Sequence, residues 1–542
     1  MPLPTPSTIK SLSPTLLIST SVLASLILGR LVLNLSSSSN SNRKQKEKKY
    51  ARTVIFGTFI QLPASPESDK GHKLSVTHGA LWVSASDGRI QGFDWKVRDE
   101  GDLKELLRRN GWIDVDGSSG SGDGERGVRI VRNEKKNGFF FPGFIDTHIH
   151  ASQYPNSGIF GSSTLLDWLE TYTFPLEASY RSDKSSKDAP SVARSAYEKV
   201  ISRTLSHGTT CAAYFATIHV PATNLLANIC HSRGQRAFIG RLCMDNPDFC
   251  PDYYCDASAE ESITATEETI SHIRKLDPQG KLVAPIITPR FAPTCTSTAL
   301  SKLGALAASS SPPLHIQTHI SENKNEIQLV QELFPTSKSY ADVYDKAGLL
   351  TPKTILAHGV HLSQDERDLI RSRSAKISHC PVSNTAIGSG LCPVRDLLNC
   401  GITVGLGTDV SGGYSSSVLE AARHTCLISR LVAYQGSAAD PAHPAPGYEK
   451  IGVEESLYLA TRGGAQVVGK EKEIGGFEVG MFWDAQMIDL GGTIDEGGEC
   501  MNDIDIFGWE SWEEKIAKWV WNGDDRNVRK VWVAGRLVHE RE

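Results

Sequence analysis

Residues 139–155 read FFFPGFIDTHIHASQYP, and the reading of Asp146-Thr147-His148-Ile149-His150 decides the fold. The apolar run Phe139–Ile145 carries Pro142-Gly143 inside it and predicts entry into a buried strand. Residues two apart on a strand point to the same side. His148 and His150 therefore project together, and Ile149 faces away. Two imidazoles side by side at a strand end form half of a site for a divalent metal. The other half has to come from elsewhere in the chain.

Working outward, the centre at about 144–484 alternates strand and helix. Apolar, strand-like runs begin near Phe144, Thr209, Ala237, Leu282, Leu314, Thr354, Ala375 and Ile402. Helical patterns such as Ser191–Leu205, Ala259–Lys275 and Asn325–Leu333 lie between them. Eight such repeats predict a (β/α)8 barrel of the TIM type, an α/β fold whose active site sits at the C-terminal ends of its strands. Polar residues stand at those ends. His319 closes the fifth strand, with Glu322 just beyond; His358 closes the sixth; Asp409 follows the eighth, after Gly405 and Gly407. Three neutral imidazoles and a carboxylate suit zinc, which also takes a water and lowers its pKa to about 7. A nearby carboxylate can then take and deliver the proton.

The flanks differ from the centre. Residues 50–143 read as strands, over Arg52–Leu62, Leu74–Phe93 and Val128–Val131. Residues 485–542 have the same texture, so both ends are expected to build one small β-sandwich beside the barrel. The Gly/Ser insertion at 117–124 reads as a surface loop, since no GK[ST] follows to make a phosphate cradle. Residues 1–49 stand apart. Leu12 to Gly29 is uncharged, Arg30 interrupts it, and Leu31–Leu35 continues it. A serine tract and a basic run follow. This extension reads either as a membrane anchor through residues 12–35, leaving the catalytic unit in the cytosol, or as a disordered or organelle-targeting tail.

Composition excludes several classes. The net charge of -5 gives no basic footprint, so no nucleic-acid partner is expected. The 11 cysteines form no CxxC pair, which argues for a reducing compartment. It also excludes the shorter deaminase fold that binds zinc through PCxxC.

Together these motifs resemble the amidohydrolase superfamily and, within it, the barrel-type guanine deaminases. The carrying segments are Pro142–Tyr154, Tyr172–Pro175, Gly208–Thr210, Tyr214–His219, Thr288–Phe291, His315–Asn323, Ala357–Gly359, Ser378–Pro381 and Gly405–Gly413. Two later segments, Gly476–Gly480 and Gly523–Asn527, fit as well, and the resemblance spans about 50–538. It implies one Zn2+ per chain on His148, His150, His319 and Asp409. It implies hydrolysis of guanine to xanthine and ammonia by a zinc-bound hydroxide. Asp409 would accept a proton, Glu322 would protonate a ring nitrogen, and His358 would orient the nucleophile and touch the substrate. Gln153, Arg290 and Phe291 would read guanine, the amide and guanidinium on its edge and the ring on its face. A homodimer is expected on the same ground.

Relatives with two metals bridge them through a lysine on the fourth strand. Leu282–Pro293 holds no lysine, so one metal is expected. The remaining alternatives are a mononuclear relative acting on a triazine or pyrimidine, and an inactive barrel kept as a scaffold. His219 and His361 read as loop residues, Trp168 as packing, and Cys211 and Cys380 as buried thiols. Val382 stands where the resemblance leads one to expect Asn, while Asn384 is retained.

Overall fold

The computed structural model describes residues 50–64, 72–116, 125–182, 188–436, 449–494 and 504–541. The apolar stretch at 12–35 lies outside them. Among the described residues no helix is long and apolar enough to cross a membrane.

Eight parallel strands form the barrel: Phe144–His150, Thr209–Phe215, Arg236–Gly240, Val283–Pro289, His315–Ile320, Thr354–His358, Lys376–His379 and Val404–Leu406. The first two are buried at every position, as parallel strands covered on both faces are. Helices follow the strands at the expected places, for example Ser191–Ser206, Ala259–Leu276 and Lys324–Leu333. The eighth strand approaches the first without a regular ladder. Side chains make the seam instead. Asp146 Oδ1 accepts from the Thr408 amide at 3.0 Å, and its Oδ2 accepts from the Thr408 hydroxyl at 2.6 Å. The Thr147 hydroxyl donates to the Leu406 carbonyl at 2.9 Å. Two backbone bonds complete it, Asp409 N to His148 O at 2.9 Å and His150 N to Val410 O at 3.0 Å.

Both chain ends enter a second, nine-stranded sheet. Gly138–Pro142 sits inside it, parallel to Arg52–Gln61 and antiparallel to Ala485–Asp489. The Phe139-Phe140-Phe141 run alternates across this strand as a period of two requires. Phe139 and Phe141 pack on Trp519 at 5.4 and 5.2 Å between ring centres. Phe140 turns the other way, onto Phe59 and Trp483. Such aromatic pairs add about 0.5–1.5 kcal/mol each beyond their area burial. Glu100–Arg109, inside the region read as strands, is a helix. Asp99 caps it by accepting from Asp102 N, and Leu103 and Leu106 bury one face against the sheet.

Barrel and sheet are tied by one buried ion pair. Arg236, at the start of the third barrel strand, donates to both carboxylate oxygens of Asp484 at 2.5 and 3.1 Å. Asp484 also accepts from Ala534 N at 2.7 Å, and its carbonyl accepts from Gly143 N at 2.9 Å. Removing one partner of a buried pair leaves an uncompensated charge, which costs about 3–5 kcal/mol. Asp484→Ala is therefore expected to lower the thermal unfolding midpoint by several degrees. An unchanged midpoint would show that the pair does not join the two layers.

Candidate metal and substrate site

Four side chains converge at the C-terminal mouth of the barrel. His150 Nε2 lies 3.3 Å from His148 Nε2 and 3.1 Å from His319 Nε2. Asp409 Oδ1 lies 3.1 Å from His148 Nε2 and 3.4 Å from His150 Nε2. Burial pushes the pKa of all three histidines below the usual imidazole value. Each of the four offers one ligand atom, and these atoms all lie within 4.8 Å of one another, close enough for one zinc to draw in at about 2.0–2.2 Å. The four groups fit such an ion.

The surroundings fix these ligands. His319 Nδ1 donates to the Arg290 carbonyl at 2.6 Å, which leaves Nε2 as the acceptor nitrogen. Gly407 passes so close to the first strand that a Cβ there would meet the Cβ of His148 at 2.8 Å. Asp409 adopts a φ of 49°, and His358, at the end of the sixth strand, a φ of 74°. Left-handed backbone at a non-glycine residue costs about 1–3 kcal/mol and collects at functional sites.

Beside the four lies a second constellation. His358 Nδ1 donates to Asn384 Oδ1 at 2.9 Å, so Nε2 faces the site. That nitrogen lies 3.4 Å from Glu322 Oε2 and 3.7 Å from Asp409 Oδ2. Burial opposes charge on His358, but the Glu322 and Asp409 carboxylates outweigh it and raise its pKa. The two carboxyls diverge. Burial, with the repulsion of Asp409, pushes Glu322 up to about 7, where it can both give and take a proton near neutral pH. Burial works the same way on Asp409, yet His148, His358 and His150 hold it well below the carboxylate range.

The site opens into a pocket lined by His150, Gln153, Arg290, Phe291, His319, Glu322, His358 and Asp409, together with Leu165, Trp168, Leu169 and Ile387. The residues named from the sequence thus come together around one cavity, with His148 behind it among the four convergent groups. Trp168, read as packing, belongs to the apolar cluster of Leu165, Leu169 and Phe174 and also forms pocket wall.

Others lie apart. His219 precedes the helix Val220–Arg233 and contacts the Ala178 carbonyl at 3.3 Å. His361 bonds the Ser389 carbonyl at 2.8 Å. Cys211 and Cys380 are buried thiols, and burial raises the pKa of both. Val382 is buried in the short helix Pro381–Ala386 that also carries Asn384. The sequence reading missed Glu177. It is fully buried and accepts from Gln153, Arg290 and Tyr254.

The amidohydrolase family profile matches residues 139–538. A probable guanine deaminase of Schizosaccharomyces pombe is 52% identical over 400 residues, covering 74% of this chain and 71% of its own length. The guanine deaminase of Homo sapiens is 41% identical over 411 residues, covering 75% of this chain and 84% of its own. A crystal structure of guanine deaminase from C. acetobutylicum with bound guanine in the active site superposes with a TM-score of 0.71 at 30% identity, over 90% of this chain and 100% of that one.

Purified protein is expected to carry one divalent ion per chain by elemental analysis, and His319→Ala to lose most of it. Metal content equal to wild type in that variant would mean the four convergent groups are not the binding set.

Proposed function

The chain belongs to the amidohydrolase family, and from that premise we propose that it is a zinc-dependent guanine deaminase, hydrolysing guanine to xanthine and ammonia. One observation carries the reading. A metal-ligand set and a pair of buried hydrogen-bond donors, Gln153 and Arg290, line the same pocket.

His148, His150, His319 and Asp409 would hold the ion, which is read as zinc from its three nitrogens and one oxygen. When bound, such an ion acts as a Lewis acid and makes water nucleophilic near neutral pH. The protein's own groups do the rest. Phe291 packs the purine face, while Gln153 and Arg290 hold its polar edge. Glu322, poised near 7, donates a proton to a ring nitrogen beside the amine-bearing carbon. That carbon becomes electrophilic, and the oxygen of water adds to it. Asp409, kept ionised, receives the proton that water gives up. His358 presents Nε2 to the same space, where it orients the attacking oxygen and stabilises the charge developing on it. The proton held by Asp409 then passes to the amine, the carbon–nitrogen bond breaks with its electron pair going to nitrogen, the remaining hydroxyl proton returns to Glu322, and ammonia leaves. Guanine and water balance xanthine and ammonia.

A triazine or pyrimidine substrate is disfavoured by Arg290-Phe291 and by the relatives. An inactive scaffold is disfavoured because no member of the ligand set is missing. Homodimeric assembly and a cytoplasmic catalytic unit belong to the same reading, and sedimentation and cell fractionation check them.

The test is spectrophotometric. Guanine should be converted to xanthine with release of ammonia, and adenine and cytosine should react far more slowly. Turnover of either at the guanine rate would overturn the assignment. Glu322→Gln should keep its metal and lose about 10²–10⁴ in kcat, the usual worth of a positioned proton donor. Loss of metal instead would mean that Glu322 holds the site together rather than moving a proton.

A further inference from the structure

We propose that Glu177 is the positioning residue for purine specificity: one buried carboxylate holds Gln153 and Arg290 so that both turn N–H donors towards the carbonyl edge of the substrate. The proposal rests on the guanine reading above and adds a residue that does not line the pocket.

Glu177 lies on the short helix Phe174–Ala178, and it is fully buried. Its Oε1 accepts from Gln153 Nε2 at 2.8 Å. Its Oε2 accepts from Arg290 Nη1 at 2.6 Å and from the Tyr254 hydroxyl at 2.8 Å. The Tyr254 hydroxyl lies 3.0 Å from the Thr217 hydroxyl, which keeps the shared oxygen in place. Arg290 lies over the Phe174 ring at 5.1 Å, three residues before Glu177 on the same segment.

The chemistry follows from what each group can still offer. An amide beside a carboxylate must turn its NH2 towards it. The backbone N–H of Ser411 donates to Gln153 Oε1 at 3.2 Å and fixes the same orientation from the other end. Gln153 spends one N–H on Glu177 and keeps a second. Arg290 uses Nη1 on Glu177 and has further N–H groups in its planar fork. Both side chains border the pocket. Their free donors match a ring carbonyl, and they oppose an exocyclic amine at the same place. A neutral amide at 177 could accept from Gln153, but it would then turn its own NH2 at Arg290, donor against donor. Arg290 would leave its place although both pocket residues remained.

The test compares ligands with and without that carbonyl. Hypoxanthine carries it and purine lacks it, and neither has the amine that is removed. In Glu177→Gln the guanine KM should rise about tenfold or more, with kcat changed much less, the size expected when a charge-assisted hydrogen bond is lost. Hypoxanthine should weaken as an inhibitor by a similar factor, and purine should not. Equal weakening of both inhibitors would mean a general distortion of the pocket and would overturn the proposal, as would an unchanged KM. Glu177→Asp retains the charge on an arm one methylene shorter. It should shift the two inhibitors in the same unequal way, and it covers the case in which Glu177→Gln does not fold. Wild-type protein inactive on guanine would sink the functional reading itself, which separates that failure from failure of the role given to Glu177.

Discussion

Closure of the barrel between its first and eighth strands is the constraint on which the site depends. Backbone hydrogen bonds alone do not close it. Asp146 bridges to Thr408 with both carboxylate oxygens, and Thr147 bonds the Leu406 carbonyl. Along this one strand Thr147 alternates with His148, while Asp146 shares the parity of His148 and His150. The same pleat that sends the histidines into the mouth thus sends Thr147 into the seam. Asp146 lies in the low-dielectric interior, where burial raises its pKa to about 7 in spite of the Thr408 bonds. A hydrogen-bonded carboxyl in such a place cannot be replaced by an apolar group without stranding the Thr408 amide and hydroxyl. The seam also sets the backbone of Asp409, whose amide bonds the His148 carbonyl. Ligands from opposite ends of the barrel sequence are thereby held in one frame.

That frame separates two buried carboxyls by environment. Glu322 and Asp409 are both buried carboxyls, and desolvation raises both. The difference comes from neighbours. Asp409 faces three imidazoles, whose attraction overrides burial. Glu322 faces His358 alone, receives one bond from the Ser389 hydroxyl at 2.9 Å, and feels the repulsion of Asp409 and Glu326. Such a separation suits one carboxyl to give a proton and the other to take one. His358 stands between them, with its tautomer fixed by Asn384.

The barrel and the convergence at its mouth were legible because they are local or periodic. A strand period of two makes His148 and His150 cofacial, and repeated strand–helix spacing places His319, His358 and Asp409 at equivalent strand ends. The helix Glu100–Arg109 was hidden among strand-forming runs, although Asp99 and the Leu103/Leu106 spacing carried its signal. Trp168 has two faces, and sequence shows only that it is apolar enough to pack. Glu177 had no signature at all. A single acid means something only through its partners, and here those lie 24, 77 and 113 residues away.

Two residues link the pocket wall to the convergent groups. The side chain of Arg290 reaches the pocket, and its backbone carbonyl holds the Nδ1–H of the ligand His319. Gln153 lies on the short turn that begins directly after His150, and its amide oxygen takes the amide of Ser411, two residues past Asp409. A shift of the substrate-reading edge therefore pulls on the fourth strand, on the loop after the first and on the loop after the eighth. These segments carry or orient three of the four convergent groups.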